Sequence, residues 1–383
     1  MNILQIFFDA LGRDPRPTRF YKELCALGSV TVCSAPPVQG FRPEPDFQEL
    51  VRPRRSFPGK LLRAANLLAH RYEADIWTPQ LCALIESLRS KKFSLIVCHD
   101  ILLLPLAEAV RNQPHNKGRC AVVMDAREFY PKQFEHSRIW KIMLGGLNDY
   151  ACRRYLAQSD LVFTVSPGLA QGYATEYNVN CIMLPSLPDY HDIIPHATAE
   201  PIRCIHHGVA APGRKLELMI EAFIPLMGKA ELDFMLMPSD RGYLAHLEAL
   251  ARGAMNIRFI APVPMQEIVP CIAAYDMGVF LLQPNTFNHK HALPNKLFEF
   301  IQARLGVAVS PVPDMAGIVR RHGVGIVAED FTAAAMTKAF QNVPVSAINA
   351  FKARANSIAT ELCWERNAET IRERLSSLLE AQQ

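Results

Sequence analysis

Apolar residues fall along this chain in short runs separated by stretches of helical period. In the first half the runs cover residues 2–8, 29–34, 94–98, 120–124, 161–165 and 180–184. Most are apolar on both faces, as strands covered by helices on each side must be. Helical patterns lie between several of them, at 18–26 and 77–90 for example. Such alternation predicts an α/β, doubly wound parallel sheet. From 185 to 201 the texture changes, and four prolines and two histidines with little periodicity read as an interdomain linker. Beyond it the alternation restarts, with runs at 202–206, 232–237, 257–260, 277–282, 307–310 and 325–328. Two similar α/β halves on a proline-rich hinge imply a cleft, with ligands beyond the carboxyl ends of the strands. The chain closes on a helical pattern at 365–380, where Ala368, Ile371, Leu375 and Leu378 form a docking stripe.

The most informative helical stretch is 292–306. Pro294 suits a first helical turn, Gly306 suits the stop, and Leu297, Phe298, Ile301 and Leu305 trace one apolar face. Lys296 and Glu299, three apart, project from one side. The bland reading is a surface ion pair on an amphipathic helix. The sharper one is a helix N-terminus that receives a phosphate, with Lys296 as countercharge and Glu299 gripping a sugar diol.

Composition narrows the classes. At 383 residues and 50 % hydrophobic the chain can bury a large core, and a net charge of +4 makes no global case for nucleic acid. Ten cysteines lie scattered with no C-x-x-C, which fits free thiols in a reducing compartment better than disulfides or zinc. No signal peptide or membrane-spanning run is evident, so the expected location is cytoplasmic, with any membrane contact made from the surface. Neither a G-x-G-x-x-G after a strand nor a Walker lysine motif occurs.

Three groups of residues stand at strand ends. One is the loop after 202–206, where Gly208 lets backbone approach a ligand and Arg214 and Lys215 supply positive charge. The second is the 292–306 stretch itself, fed by the loop 283–291. The third is Asp125, Arg127 and Glu128, three charges in four positions that should not be core; they make either a salt-bridged turn or a cleft-facing cluster. His99 and Asp100 end another run, where a structural strand-end histidine is the simpler reading. The spacing of His206, His207, His289 and His291 matches no metal motif, so no metal is expected.

Gly208 with Arg214 six positions on, followed far downstream by Pro294, Asn295, Lys296 and Glu299, resembles the donor half of a GT-B glycosyltransferase. It looks most like the large retaining family 4, including its bacterial surface-glycan members. The likeness covers the whole C-terminal half and extends more loosely to the N-terminal one. It implies domains at 1–187 (acceptor side) and 188–364 (donor side), with 365–383 a helix that crosses back onto the first. It implies transfer of a sugar from a nucleoside-diphosphate donor to a glycan or lipid-linked acceptor hydroxyl, with retention and without metal or other cofactor, in lipopolysaccharide or capsule assembly. The Glu299 position holds ribose hydroxyls in that family, the Arg214 position neutralises the diphosphate, and Pro264 lies where backbone meets the base. Two positions depart from the pattern. His291 stands where the family has its first paired glutamate, and Arg127 where many relatives have a catalytic histidine. Arg127, Asp125, Glu128 and His291 are therefore the candidates around the reacting centre. A GT-B sugar-nucleotide epimerase and a binding scaffold without turnover both stay open.

The stretch 52–71 carries Arg52, Arg54, Arg55, Lys60, Arg63 and Arg71 and no acidic residue before its end. Its second part has an apolar face at Leu61, Leu62, Ala65, Leu68 and Ala69. The alternatives are an anionic-membrane surface element and a solvated basic loop before a core-packed helix.

Overall fold

The computed structural model describes residues 1–42, 46–50 and 56–381; Arg52, Arg54 and Arg55 lie outside them. The chain forms two compact units. The first is Met1–Pro185 with Thr286–Asn288 and everything from Ala368 on, and the second is Ser186–Asn285 with His289–Asn367. The short piece Thr286–Asn288 was not legible as part of the first unit. It belongs there because the Phe287 ring packs 4.7 Å from that of Phe129, and Phe129 donates its backbone N–H to the Asn288 side chain at 2.7 Å.

The first unit is built on a seven-stranded parallel sheet: β1 (Asn2–Ala10), β2 (Ser29–Ala35), β3 (Asp46–Glu49), β4 (Leu95–Cys98), β5 (Ala121–Ala126), β6 (Leu161–Thr164) and β7 (Ile182–Met183). Their spatial order is β3-β2-β1-β4-β5-β6-β7. β4 and β5 are buried along their whole length, which explains why every residue in them but Asp125 is apolar. β3 escaped the sequence pattern because Asp46, Gln48 and Glu49 are polar. It is a four-residue edge strand, tied down by Thr31 and Lys91, which each donate to the Asp46 carboxylate at 2.6 Å.

The second unit holds β8 (Ile202–Ala210), β9 (Ala230–Pro238), β10 (Ile257–Ile260), β11 (Met277–Phe280), β12 (Gly306–Val309) and β13 (Gly325–Val327). Their order is β10-β9-β8-β11-β12-β13, again all parallel. The helix read at 292–306 spans Asn295–Gln302, and two details of that reading are corrected. Pro294 is the extended N-cap rather than a first-turn residue, and Gly306 opens β12 instead of stopping the helix. The left-handed residue that ends the helix is Arg304, held by a bond from its Nε to the Asn356 side chain at 2.8 Å. Gly278 of β11 permits close approach of this helix, since a Cβ there would lie 2.1 Å from the Phe300 ring. The C-terminal helix Trp364–Glu380 buries Ala368, Ile371 and Leu375. Its Arg372 pairs with Glu23 of the first unit at 2.5 Å.

Candidate active site

In the second unit the candidate residues gather at the carboxyl edge of the sheet. Gly208, expected in a loop after 206, instead lies within β8, which runs on to Ala210, and Arg214 and Lys215 follow it in a one-turn helix, Pro212–Arg214, and its left-handed cap. Pro264 follows β10 and is exposed. His291, Pro294, Asn295, Lys296 and Glu299 follow β11.

The centre of this edge is Lys296, which is not a surface residue: its relative exposure is 5 %. Its ammonium lies 4.3 Å from the Phe280 ring centroid and 3.3 Å from Nε2 of His206. The other ring nitrogen of His206, Nδ1, is 2.7 Å from the Val279 carbonyl oxygen, which can only accept. Nδ1 therefore carries the proton, and Nε2 is the lone pair that receives Lys296. Burial and the neighbouring Lys296 hold His206 well below the ordinary histidine range, so the ring is neutral. Among the described residues, the only hydrogen bond recorded for the buried ammonium thus goes to an uncharged imidazole. Desolvation, then Arg214, push Lys296 well below the usual lysine value, while Glu299 works the other way.

Gly208 forms the backbone beside this ammonium. Its φ of +123° lies outside the usual range of other residues, and a Cβ would come within 3.0 Å of the Lys296 Nζ. Arg214 is partly buried, and among the described residues its guanidinium has no recorded hydrogen bond or ion pair; burial lowers its pKa. Glu299 lies one turn beyond Lys296 with Oε2 3.4 Å from Nε2 of His207. That approach is not an ion pair, because burial and Lys296 push His207 down to about 3, and it lacks hydrogen-bond geometry, which leaves the buried His207 Nε2 unpartnered. A strand end that only glycine permits, a buried lysine, an arginine and a buried imidazole nitrogen without a hydrogen-bond partner thus lie along one edge, groups whose chemistry suits an anion and sugar hydroxyls. His291 is held through Nδ1, 3.3 Å from Oδ2 of Asp314 in the first turn of the helix Pro313–His322.

The first unit gathers a different set. Asp125, at the end of β5, is fully buried, against the expectation that none of the charged trio would be core. Arg16 grips it through Nε at 3.0 and 2.8 Å and through Nη2 at 2.6 Å, and His99 Nδ1 approaches at 2.8 Å. The Gln5 side-chain nitrogen lies 3.0 Å from His99 Nε2 and donates to the Pro17 carbonyl at 2.8 Å, so His99 is the neutral Nδ1–H tautomer. Burial lowers its pKa despite the carboxylate beside it. Asp125 is accordingly an anchor for Arg16 and His99, and His99 is structural.

Arg127 leaves the trio and pairs with Asp14 at 2.6 Å, where Asp14 also caps the helix Pro15–Leu27. Glu128 is the one acidic member whose pKa rises, mainly through burial, the direction expected of a proton donor near neutrality. Sequence reasoning missed Arg16 and Asp314 and weighed His206 and His207 only as metal ligands. Among the described residues no three His, Cys, Asp or Glu groups could hold a metal ion. The signal for His206 was available: a histidine directly after the apolar Cys204 and Ile205 of a strand.

No family profile matches the chain and no curated protein does. Solved structures do match over their full lengths. A sucrose-phosphate synthase from Thermosynechococcus elongatus aligns with TM-score 0.74 and 13 % identity over 100 % of both chains. An α,α-trehalose-6-phosphate synthase from Burkholderia multivorans aligns at 0.68 and 12 %, over 100 % of this chain and 99 % of that one. A structure described as trehalose-6-phosphate from E. coli bound with UDP-2-fluoro glucose aligns at 0.66 and 9 %, over 99 % of each. These neighbours are GT-B enzymes, and the chain has the GT-B fold.

The chemistry of this edge yields a direct expectation for Glu299. Glu299→Gln should weaken binding of the cognate nucleoside diphosphate by about 1.5–3 kcal/mol, the range for a hydrogen bond to a charged group. Calorimetry on the folded variant measures it, and unchanged affinity would remove Glu299 from the ligand.

Proposed function

We propose that this protein transfers a sugar from a nucleoside-diphosphate donor to an acceptor hydroxyl, with retention and without a metal, in assembly of a bacterial surface glycan. The observation that carries the reading is Lys296, buried beneath Gly208 with an uncharged imidazole as its recorded hydrogen-bond partner. Folding an ammonium into such a place costs several kcal/mol, and an incoming diphosphate would offset that cost. Lys296, Arg214, Lys215 and the backbone at Gly208 receive the diphosphate, and the same cations stabilise its charge as the sugar leaves. Glu299 binds the ribose diol, Asn295 and Pro294 set the helix terminus, and Pro264 meets the base.

Of the catalytic candidates, Glu128 in the first unit and His291 in the second are the groups able to exchange a proton or hydrogen-bond a sugar. Arg127 acts as a fixed cation, since a guanidinium stays protonated. Asp125 positions Arg16 and His99 from the interior. The donor class is supported by the UDP-2-fluoro glucose of the E. coli neighbour. Retention and a surface-glycan acceptor are supported by the family 4 resemblance of the Gly208, Arg214 and Lys296 to Glu299 pattern.

Thermal-shift screening against UDP, GDP, ADP and CMP identifies the base, because a ligand at a hundred times its Kd stabilises by about 2.7 kcal/mol. Product analysis with the matching nucleotide sugars should then show transfer that survives exhaustive EDTA treatment and keeps the donor's anomeric configuration. Activity lost to chelation and restored by manganese, or an inverted product, would reject the mechanism.

A further inference from the structure

A surface of the first unit asks for a partner that transfer chemistry does not supply. The helix Phe57–Leu68 packs beside a helical segment that begins at Arg138–Trp140 and continues as a π-helical turn, Lys141–Gly145. Both elements turn large apolar side chains outward. Phe57, Leu61 and Leu62 are 74, 57 and 64 % exposed, and Ile139 and Ile142 are 78 and 62 % exposed. Single exposed apolar residues need no explanation, but a cluster on two adjoining elements marks an interaction site. Lys60, Arg138 and Lys141 are exposed on the same two elements, and neither 57–68 nor 138–145 contains an acidic residue. The acidic side chains nearby are engaged: Asp75 pairs with Arg63 at 2.9 Å, and Glu73 accepts from Tyr155 at 3.1 Å.

We propose that these two elements together dock the protein on an anionic lipid surface, with Phe57, Leu61, Leu62, Ile139 and Ile142 entering the acyl boundary. Lys60, Arg138 and Lys141 meet the headgroups. The chemistry is that of an interfacial amphipathic element, apolar tips ringed by basic residues alone. A second copy of the chain fits poorly, because a two-fold contact would set the same three cations against themselves. The sequence pointed to 52–71 only; the second half of the surface comes from the packing of 138–145 beside it. The proposal goes beyond the transferase reading and stands or falls independently of it.

The test is sedimentation of the full-length protein with vesicles of pure phosphatidylcholine and of phosphatidylcholine containing phosphatidylglycerol. The wild type should bind the anionic vesicles at least tenfold better than the neutral ones, with binding weakened by salt. The double variant Leu61→Ser, Ile142→Ser should lose at least tenfold of that binding while keeping its unfolding midpoint, since both side chains already face water. A second double variant, Lys60→Ser, Lys141→Ser, should lose the preference for phosphatidylglycerol. Wild-type protein that ignores the anionic vesicles, variants that bind as well as wild type, or concentration-dependent dimerisation abolished by Leu61→Ser, Ile142→Ser would each overturn the proposal.

Discussion

Asp125→Asn should lower the stability of the first unit by about 3–5 kcal/mol, the cost of removing one partner from a buried ion pair. The asparagine keeps the shape but turns an amide toward donors, and the Arg16 guanidinium is left buried with its Leu184 carbonyl contact and no countercharge on Asp125. Denaturant unfolding followed by tryptophan fluorescence measures it, since Trp77 and Trp140 lie in this unit. Replacing both members, Arg16→Met with Asp125→Leu, should recover much of the loss, because a buried pair exchanged for apolar side chains is often neutral. An Asp125→Asn variant as stable as wild type would make the network a minor feature.

The same network sets an acid limit. Arg16, with His99, holds the Asp125 carboxyl far below the usual carboxylate range against the opposing effect of burial. Stability from it is present above the unfolded carboxylate value and is lost as pH falls through the folded one. His99, lowered by burial, acts in the same sense: unfolding lets it bind a proton below about pH 6.5, so stability declines on the acid side from there. In Asp125→Asn the carboxylate part of that decline should vanish.

Lys296→Met is expected to separate stability from function. The substitution removes a buried ammonium and keeps the unbranched apolar stem, so the second unit should be at least as stable as before. Transfer should fall by about 10²–10³ in kcat/KM, the scale for losing a preorganised group that stabilises developing charge. A proton-linkage signature accompanies it. Lys296 is held well below the ordinary lysine value in the free protein, and Arg214, Glu299, His206 and His207 are the titratable groups around it. A bound diphosphate raises that value, so binding takes up protons and affinity declines as pH climbs through the free-protein value. Calorimetry over a pH series kept above about 8, where a terminal phosphate is already fully ionised, follows this linkage apart from the ligand's own titration.

How far the sequence foretold this arrangement depended on how local each feature is. Twelve strand runs and the alternation that defines two doubly wound halves were visible, because a strand buried on both faces must be apolar throughout. β3 was not, since an edge strand with three polar residues in four carries no such signal. Gly208, Arg214, Lys296 and Glu299 were singled out by spacing, yet their surroundings were not. Nothing in spacing shows that Lys296 is buried, or that His206, ninety residues earlier, offers it a lone pair. Asp125 misled for a related reason: a charge at a strand end looks cleft-facing until Arg16, 109 positions away, is found beside it. Pro294 and Gly306 shifted by one structural role each, as element boundaries do.

The proposed function stands on a nucleoside diphosphate binding at the buried Lys296. Titration of UDP, GDP, ADP and CMP into the wild type and into Lys296→Met, at about pH 8.5, tests it most directly. One diphosphate should bind the wild type and bind Lys296→Met about a hundredfold more weakly, equivalent to about 2.7 kcal/mol. Equal affinity in the two proteins, or no wild-type binding to any of the four, would contradict the account.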